Sequence, residues 1–199
     1  MKIILFSGFL GSGKTSGLLS LIEYLKPSRP DKIVVVENEI GGAGIDNEII
    51  SAQGYEVKGL YSGCVCCTLA GDFVECINQI HTKLQPEYVL FEPTGVAYPA
   101  RIKAIIEEDA GKICGMAIVT IIDAHRFRKL LKITPDLISR QMKAADLILI
   151  NKCDLVEQNE IDYILREVEL QNSEVAAFPV SIMNGIDTDI WEVFINVFF

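Results

Sequence analysis

Gly8-Phe-Leu-Gly11-Ser12-Gly13-Lys14-Thr15 meets every fixed position of the pattern G-x-x-x-x-G-K-[ST]. That spacing is built to hold phosphate. Gly8, Gly11 and Gly13 let the backbone turn its N–H groups inward, Lys14 brings a point charge to β- and γ-phosphates, and the Thr15 hydroxyl can ligate Mg²⁺. Ser12 and Ser16 flank these positions and join the candidate nucleotide contacts. A helix starting near Lys14 would add its positive dipole end to the same anion. The plainer alternative is a glycine-rich turn that only joins a strand to a helix.

The phosphate motif does not choose a base. Asn151-Lys152-Cys153-Asp154 fits N-K-x-D. The Asp154 carboxylate can accept from both N1–H and the exocyclic amine of guanine, a donor pair that adenine lacks. The Lys152 stem can pack along the base and Asn151 can hold the loop. Paired hydrogen bonds of this kind reject the wrong base by roughly 10⁴ or more, so GTP is the expected nucleotide. Ser181, after a strand-like run, is a further candidate for a backbone-supported base contact.

Acidic residues supply the rest of the hydrolytic set. Glu92-Pro-Thr-Gly95 follows an apolar run, where a carboxylate can orient Mg²⁺ through water or position an attacking water, and Gly95 can sense a γ-phosphate. Asp46 in Gly44-Ile-Asp46 is the preferred second acidic contact to the Mg²⁺ shell, with Glu39 nearby. Lys14, Glu92 and Asp46 thus form the candidate catalytic group. A solvated loop charge at Glu39 and a turn or helix cap at Asp46 are the alternatives.

Cys64-Val-Cys66-Cys67 carries a different chemistry. Thiolates are soft ligands that select Zn²⁺ or other thiophilic ions. The C-x-C spacing puts two sulfurs on the same side of an extended segment. Three thiols make an incomplete tetrahedral set, which Glu39, water or a partner would complete. Buried cysteines acting as small hydrophobes, or a redox pair, are the other readings.

The elements that must position these residues follow from periodicity. Apolar, mostly β-branched runs at 2–6, 32–36, 88–91, 116–122, 147–150 and 175–180 read as strands buried on both faces, with a short seventh at 55–60. Helical spacing recurs at 14–25, 69–84, 99–108, 126–131, 136–143 and 161–170. Such alternation predicts an α/β fold with a mostly parallel sheet and helices on both faces. With the phosphate motif of Gly8–Thr15, the expectation is a P-loop NTPase three-layer sandwich. Ligands of these sheets sit beyond the carboxyl ends of the strands, where the motifs fall. Residues 1–199 are expected to form a single domain, with a switch and metal-binding segment at 38–67.

Composition narrows the partners. With 199 residues, 50% hydrophobic and 23% charged, the chain is neither disordered nor fibrous. A formal charge of −9 without a basic patch argues against nucleic acid. No apolar run reaches the roughly twenty residues a membrane span requires. Six cysteines without a secretion signal point to reduced thiols and a cytoplasmic location.

The phosphate motif, Asn38-Glu-Ile-Gly41, Gly44-Ile-Asp46, Gly63-Cys-Val-Cys-Cys67, Glu92-Pro-Thr-Gly95, Ile122-Asp-Ala124, Ala145-Asp146 and the N-K-x-D motif occur together in an order that resembles CobW-like GTPases, relatives of the HypB and UreG nickel chaperones. The resemblance covers essentially the whole chain. It implies an Mg-GTP-dependent metallochaperone or insertase whose C-x-C-C thiols hold a transition metal, Zn²⁺ or Co²⁺, for a client metalloprotein. Proteins of this family usually carry a second, C-terminal domain and often a His-rich tract, whereas this chain ends at Phe199 with neither. The expectation is a GTPase domain that uses a separate chain for that role, or acts alone as a homodimer. No arginine finger is evident, so intrinsic turnover on the order of 10⁻³ s⁻¹ is expected. The rival expectation is a GTP-gated interaction module with structural cysteines.

Overall fold

Short runs of Ile, Val, Leu and Phe form the central strands because helices cover both of their faces. The structure, a computed structural model, describes residues 1–27, 33–37, 56–59, 70–109 and 113–199. Among these, seven strands make one sheet: β1 (Lys2–Ser7), β2 (Ile33–Glu37), β3 (Glu56–Gly59), β4 (Tyr88–Glu92), β5 (Gly115–Asp123), β6 (Leu147–Asn151) and β7 (Ala176–Pro179). The order is β3-β2-β4-β1-β5-β6-β7, and every pairing is parallel. The chain builds one half of the sheet through β2, β3 and β4, then crosses β1 to build the other through β5, β6 and β7. The order therefore reverses beside β1, and the crevice at such a reversal is where open α/β sheets bind ligands.

Side chains alternate across the sheet with the period of two that strands impose. Ile4, Phe6, Leu90, Val119 and Leu149 pack beneath α1 (Lys14–Leu25) and the last helix, α7 (Thr188–Phe198). Ile3, Leu5, Val89, Phe91 and Ile118 face the opposite layer, with α2 (Ala70–Leu84) and α3 (Pro99–Asp109). A third cluster joins Ile148 and Ile150 to α4 (Phe127–Ile133), α5 (Pro135–Lys143) and α6 (Gln158–Gln171). Three layers with a wholly parallel sheet result.

Two differences from the sequence reading have physical causes. Residues 188–198 form a helix that periodicity did not reveal, because Ile, Val, Phe and Trp there also suit a strand. Its start is fixed by the Asp187 carboxylate, which accepts from Asp189 N–H at 3.1 Å. It is anchored by buried Trp191, whose Nε1–H donates to Ser20 Oγ at 3.1 Å. Five strands also run past their apolar stretch, to Ser7, Glu37, Glu92, Asp123 and Asn151. Polar residues thereby line one sheet edge in register, Glu37 opposite Glu92 and Asp123 opposite Asn151.

Candidate functional site

The loop between β1 and α1 must reverse its backbone before the helix starts. Gly13 does so as the residue preceding α1, at φ 104°. A side chain there would fail twice, since its Cβ would also lie 2.5 Å from Asn151 Nδ2. Lys14 is 6% exposed at the head of α1, with its Nζ 3.7 Å from Glu92 Oε1. The Thr15 hydroxyl donates to Glu92 Oε2 at 2.9 Å. One carboxylate at the end of β4 thus faces both phosphate-loop side chains. Adjoining hydroxyl and carboxylate oxygens are hard donors, of the kind Mg²⁺ takes alongside phosphate.

Asn151, the last residue of β6 and 5% exposed, ties the N-K-x-D loop to the loop between β1 and α1. Its Nδ2 donates to the Ser12 carbonyl at 2.8 Å, and its Oδ1 accepts from Lys152 N–H at 2.8 Å and Ile182 N–H at 3.0 Å. Lys152 is held at φ 67°, a left-handed conformation that a non-glycine residue adopts at a cost offset by such contacts. Its Nζ donates to the Gly11 carbonyl at 2.8 Å and to Asp123 Oδ2 at 2.6 Å. Asp154 stands exposed at the lip of the same cleft. Cys153 packs into the third cluster and donates its thiol to the Ile150 carbonyl at 3.0 Å; burial pushes that thiol up, so it stays protonated at neutral pH.

Asp123 sits beneath these loops at the end of β5, 2% exposed. It accepts from Arg126 N–H at 3.1 Å and from Arg126 Nε at 2.7 Å, besides Lys152. Burial pushes its carboxyl up, but the hydrogen bonds and charges of Lys152 and Arg126 outweigh that and hold it below the usual carboxylate range. Arg126 Nη2 also donates to the Leu10 carbonyl at 2.6 Å.

A cleft of about 560 Å³ joins these pieces, a size suited to a nucleotide-sized ligand. Its walls include Gly11, Gly13, Lys14, Thr15, Ser16, Glu92, Asn151, Lys152, Asp154 and Ser181. Gly8 and Ser12 complete the loop beneath, and the Ser12 and Ser181 hydroxyls are buried without a partner among the described residues. Gly95 abuts the phosphate loop, so closely that a Cβ would lie 2.5 Å from Leu10 N. Its carbonyl accepts from the buried side chain of Gln141 at 3.2 Å. Glu39, Asp46, Cys64, Cys66 and Cys67 lie outside the described residues.

Sequence reasoning did not assign Arg126 or Gln141, and it met Asp123 only within the motif Ile122-Asp-Ala124. A carboxylate ending an apolar strand, three residues before an arginine, was the available signal for the first pair. Gln141 gave none beyond an apolar helix face. Leu10, Leu155 and Met183 were missed as well; they line the cleft at 72%, 57% and 91% exposure.

Fold and site together define the class, a P-loop nucleotide-binding domain. Residues 2–178 match the family described as CobW/HypB/UreG, nucleotide-binding domain, and the chain belongs to that family. It is 28% identical to the zinc chaperone CobW of a Sinorhizobium species, over 86% of this chain and 59% of that protein. It is 31% identical to the zinc chaperone YeiR of Escherichia coli K12, over 75% of this chain and 46% of that protein. The chain thus spans about half the length of these curated relatives. Among solved structures, the hydrogenase maturation factor HypB from Archaeoglobus fulgidus superposes with a TM-score of 0.72 at 18% identity, covering 99% of this chain and 89% of that one. At that identity the likeness speaks for the fold.

Proposed function

We propose that this domain binds and hydrolyses GTP with Mg²⁺ and uses the cycle to hold and release a transition-metal ion for a client metalloprotein. The observation that supports this most is the single cleft with the phosphate loop at one end and Asp154 at the other, joined by Asn151. Asp154 reads guanine; the loop's N–H groups and Lys14 take the phosphates. Thr15 would hold Mg²⁺ directly and Glu92 through water, with Asp46 as the second acid; the ion would supply charge neutralisation at the transferring phosphoryl group. In the alternative arrangement Glu92 would instead position the attacking water.

The cargo is the finer part of the proposal. Cys64, Cys66 and Cys67, with Glu39 or water, are the ligands proposed for Zn²⁺ or Co²⁺. Support comes from the thiol spacing and from relatives named zinc chaperones. Residues 38–67 act as the switch, ordered around the ion in the GTP state and relaxed after hydrolysis. Coupling of about 1–3 kcal/mol between nucleotide and metal would suffice.

Metal affinity measured with Mg²⁺ and a non-hydrolysable GTP analogue, then with GDP, tests this. Tighter Zn²⁺ or Co²⁺ binding in the GTP-like state, lost in a Cys64→Ser/Cys66→Ser variant that keeps its GTP affinity, is the expected outcome. Equal metal binding in both states would favour the rival, a GTP-gated docking module, for which the exposed apolar rim of Leu10, Leu155 and Met183 speaks.

A further inference from the structure

Three successive carbonyls of the phosphate loop are each tied from behind by a different side chain. The Leu10 carbonyl accepts from Arg126 Nη2 at 2.6 Å, that of Gly11 from Lys152 Nζ at 2.8 Å, and that of Ser12 from Asn151 Nδ2 at 2.8 Å. A trans peptide is planar, so its N–H points opposite to its C=O. Tying the Leu10 carbonyl therefore fixes the direction of the Gly11 N–H, and tying that of Ser12 fixes the Gly13 N–H. Gly11 and Gly13 both line the cleft. The Ser12 N–H is instead engaged by the Phe9 carbonyl at 3.0 Å.

Lys152 and Asn151 belong to the base motif, but Arg126 belongs to no motif. We propose that Arg126 is a positioning residue for the phosphate loop, holding the Leu10–Gly11 peptide so that the Gly11 N–H faces the phosphates of the bound nucleotide. This rests on the reading of the cleft as a guanine-nucleotide site. Arg126 suits the task because a guanidinium offers donors in a rigid fork. Nε grips Asp123 at 2.7 Å while Nη2 reaches Leu10, so the buried carboxylate sets where the second donor points. A side chain on Gly11 would come within 3.2 Å of Nη2, which shows how closely the guanidinium lies against the turn. Asp123 carries one negative charge against the two positive charges of Arg126 and Lys152. The cluster behind the loop thus leaves one net positive charge beside an anion site, which adds to the attraction for phosphate.

The test separates phosphate affinity from general integrity. Binding of GDP, GTP and phosphate-free guanosine is measured for wild type, Arg126→Ala and Arg126→Lys, together with thermal midpoints. For Arg126→Ala the expected loss is about tenfold for GDP and GTP, the size of one charge-assisted hydrogen bond, with guanosine affinity within about twofold. Arg126→Lys recovers only part of the loss, since an ammonium cannot fork between Asp123 and Leu10. Millimolar guanidinium ion added to Arg126→Ala restores GDP affinity. Equal losses for guanosine and GDP, or no loss at all, would overturn the assignment. If wild type binds neither GDP nor GTP, the guanine-nucleotide reading falls and this inference with it; if wild type binds both and the variant matches it, only the inference falls.

Discussion

Behind the phosphate loop, Arg126, Lys152 and Asn151 grip three consecutive carbonyls, and each is itself fixed, the two cations by Asp123 and the amide by Lys152 N–H and Ile182 N–H. In front of the loop, Lys14 and Thr15 meet the single carboxylate of Glu92, at 3.7 and 2.9 Å. The rear contacts involve backbone groups that no ligand replaces. The front contact places an acid beside the groups that phosphate and Mg²⁺ would take, so it must be exchanged on binding. Preorganisation of a site requires the first arrangement and tolerates the second.

Breaking the rear gives the largest effect. Asn151→Ala leaves a buried carbonyl, that of Ser12, and two part-buried N–H groups without their partner. About 1–3 kcal/mol is expected for each unmet group, moderated by relaxation. A net loss of about 3 kcal/mol, or roughly 6–12 °C in midpoint for a chain of this size, should appear in thermal unfolding, together with loss of GTP binding. A midpoint within 2 °C or so of wild type would show that the rear is not a scaffold. Changing the front should leave the fold intact. Glu92→Gln is expected to cut GTP hydrolysis about 10²-fold, in the range for a positioned acid–base group. Without Mg²⁺ it should bind GDP more tightly than wild type, because Lys14 no longer has a carboxylate beside it. Weaker Mg²⁺-free GDP binding would instead assign Glu92 a supporting role at the phosphate site.

The same contrast explains what could be read from the sequence. β1, β2, β4, β5 and β6 announce themselves as apolar runs, because the interior of a parallel sheet buries both faces, whereas the edge strands β3 and β7 carry weaker patterns. Fixed spacing made Lys14, Thr15, Asn151, Lys152 and Asp154 visible, since each position in those motifs answers to one backbone geometry. Asp123 and Arg126 were harder. Their partnership is local, three residues apart, but its target, the Leu10 carbonyl, lies 116 positions away and is created only when β1 and β5 pair. Gln141 reaches Gly95 across 46 positions in the same manner. The helix at 188–198 was hidden because tertiary burial of Trp191 and Phe194, and not helix propensity, selects it.

A smaller effect tests the charge at the centre of the rear cluster. With its carboxyl held below the usual value of 3.8, Asp123 contributes stability that is fully present at pH values above the unfolded value. That contribution is lost only as pH falls through the folded value. Asp123→Asn should therefore be less stable than wild type by about 1–2 kcal/mol, discounted because Lys152 and Arg126 are each about a third exposed. Denaturant unfolding from pH 7 to pH 3 should show that gap constant down to about pH 4.5 and narrowing below. A gap that closes between pH 7 and pH 5 would contradict the depressed carboxyl.

The smallest expected effect concerns Ser181, on the loop that Asn151 draws in through Ile182 N–H. Its hydroxyl is buried with no partner among the described residues. Its backbone belongs to a well-tied turn, with the Ser181 carbonyl accepting from Asn184 N–H at 2.9 Å. If this loop meets the base through its backbone, the hydroxyl is dispensable. Ser181→Ala should then leave stability within about 0.5 kcal/mol, since the group lost had no hydrogen bond to forfeit. GDP affinity should stay within about twofold, by titration against a fluorescent guanine nucleotide. A tenfold loss would show that the hydroxyl turns into the cleft when the base arrives, making this loop part of the exchangeable front and not of the fixed rear.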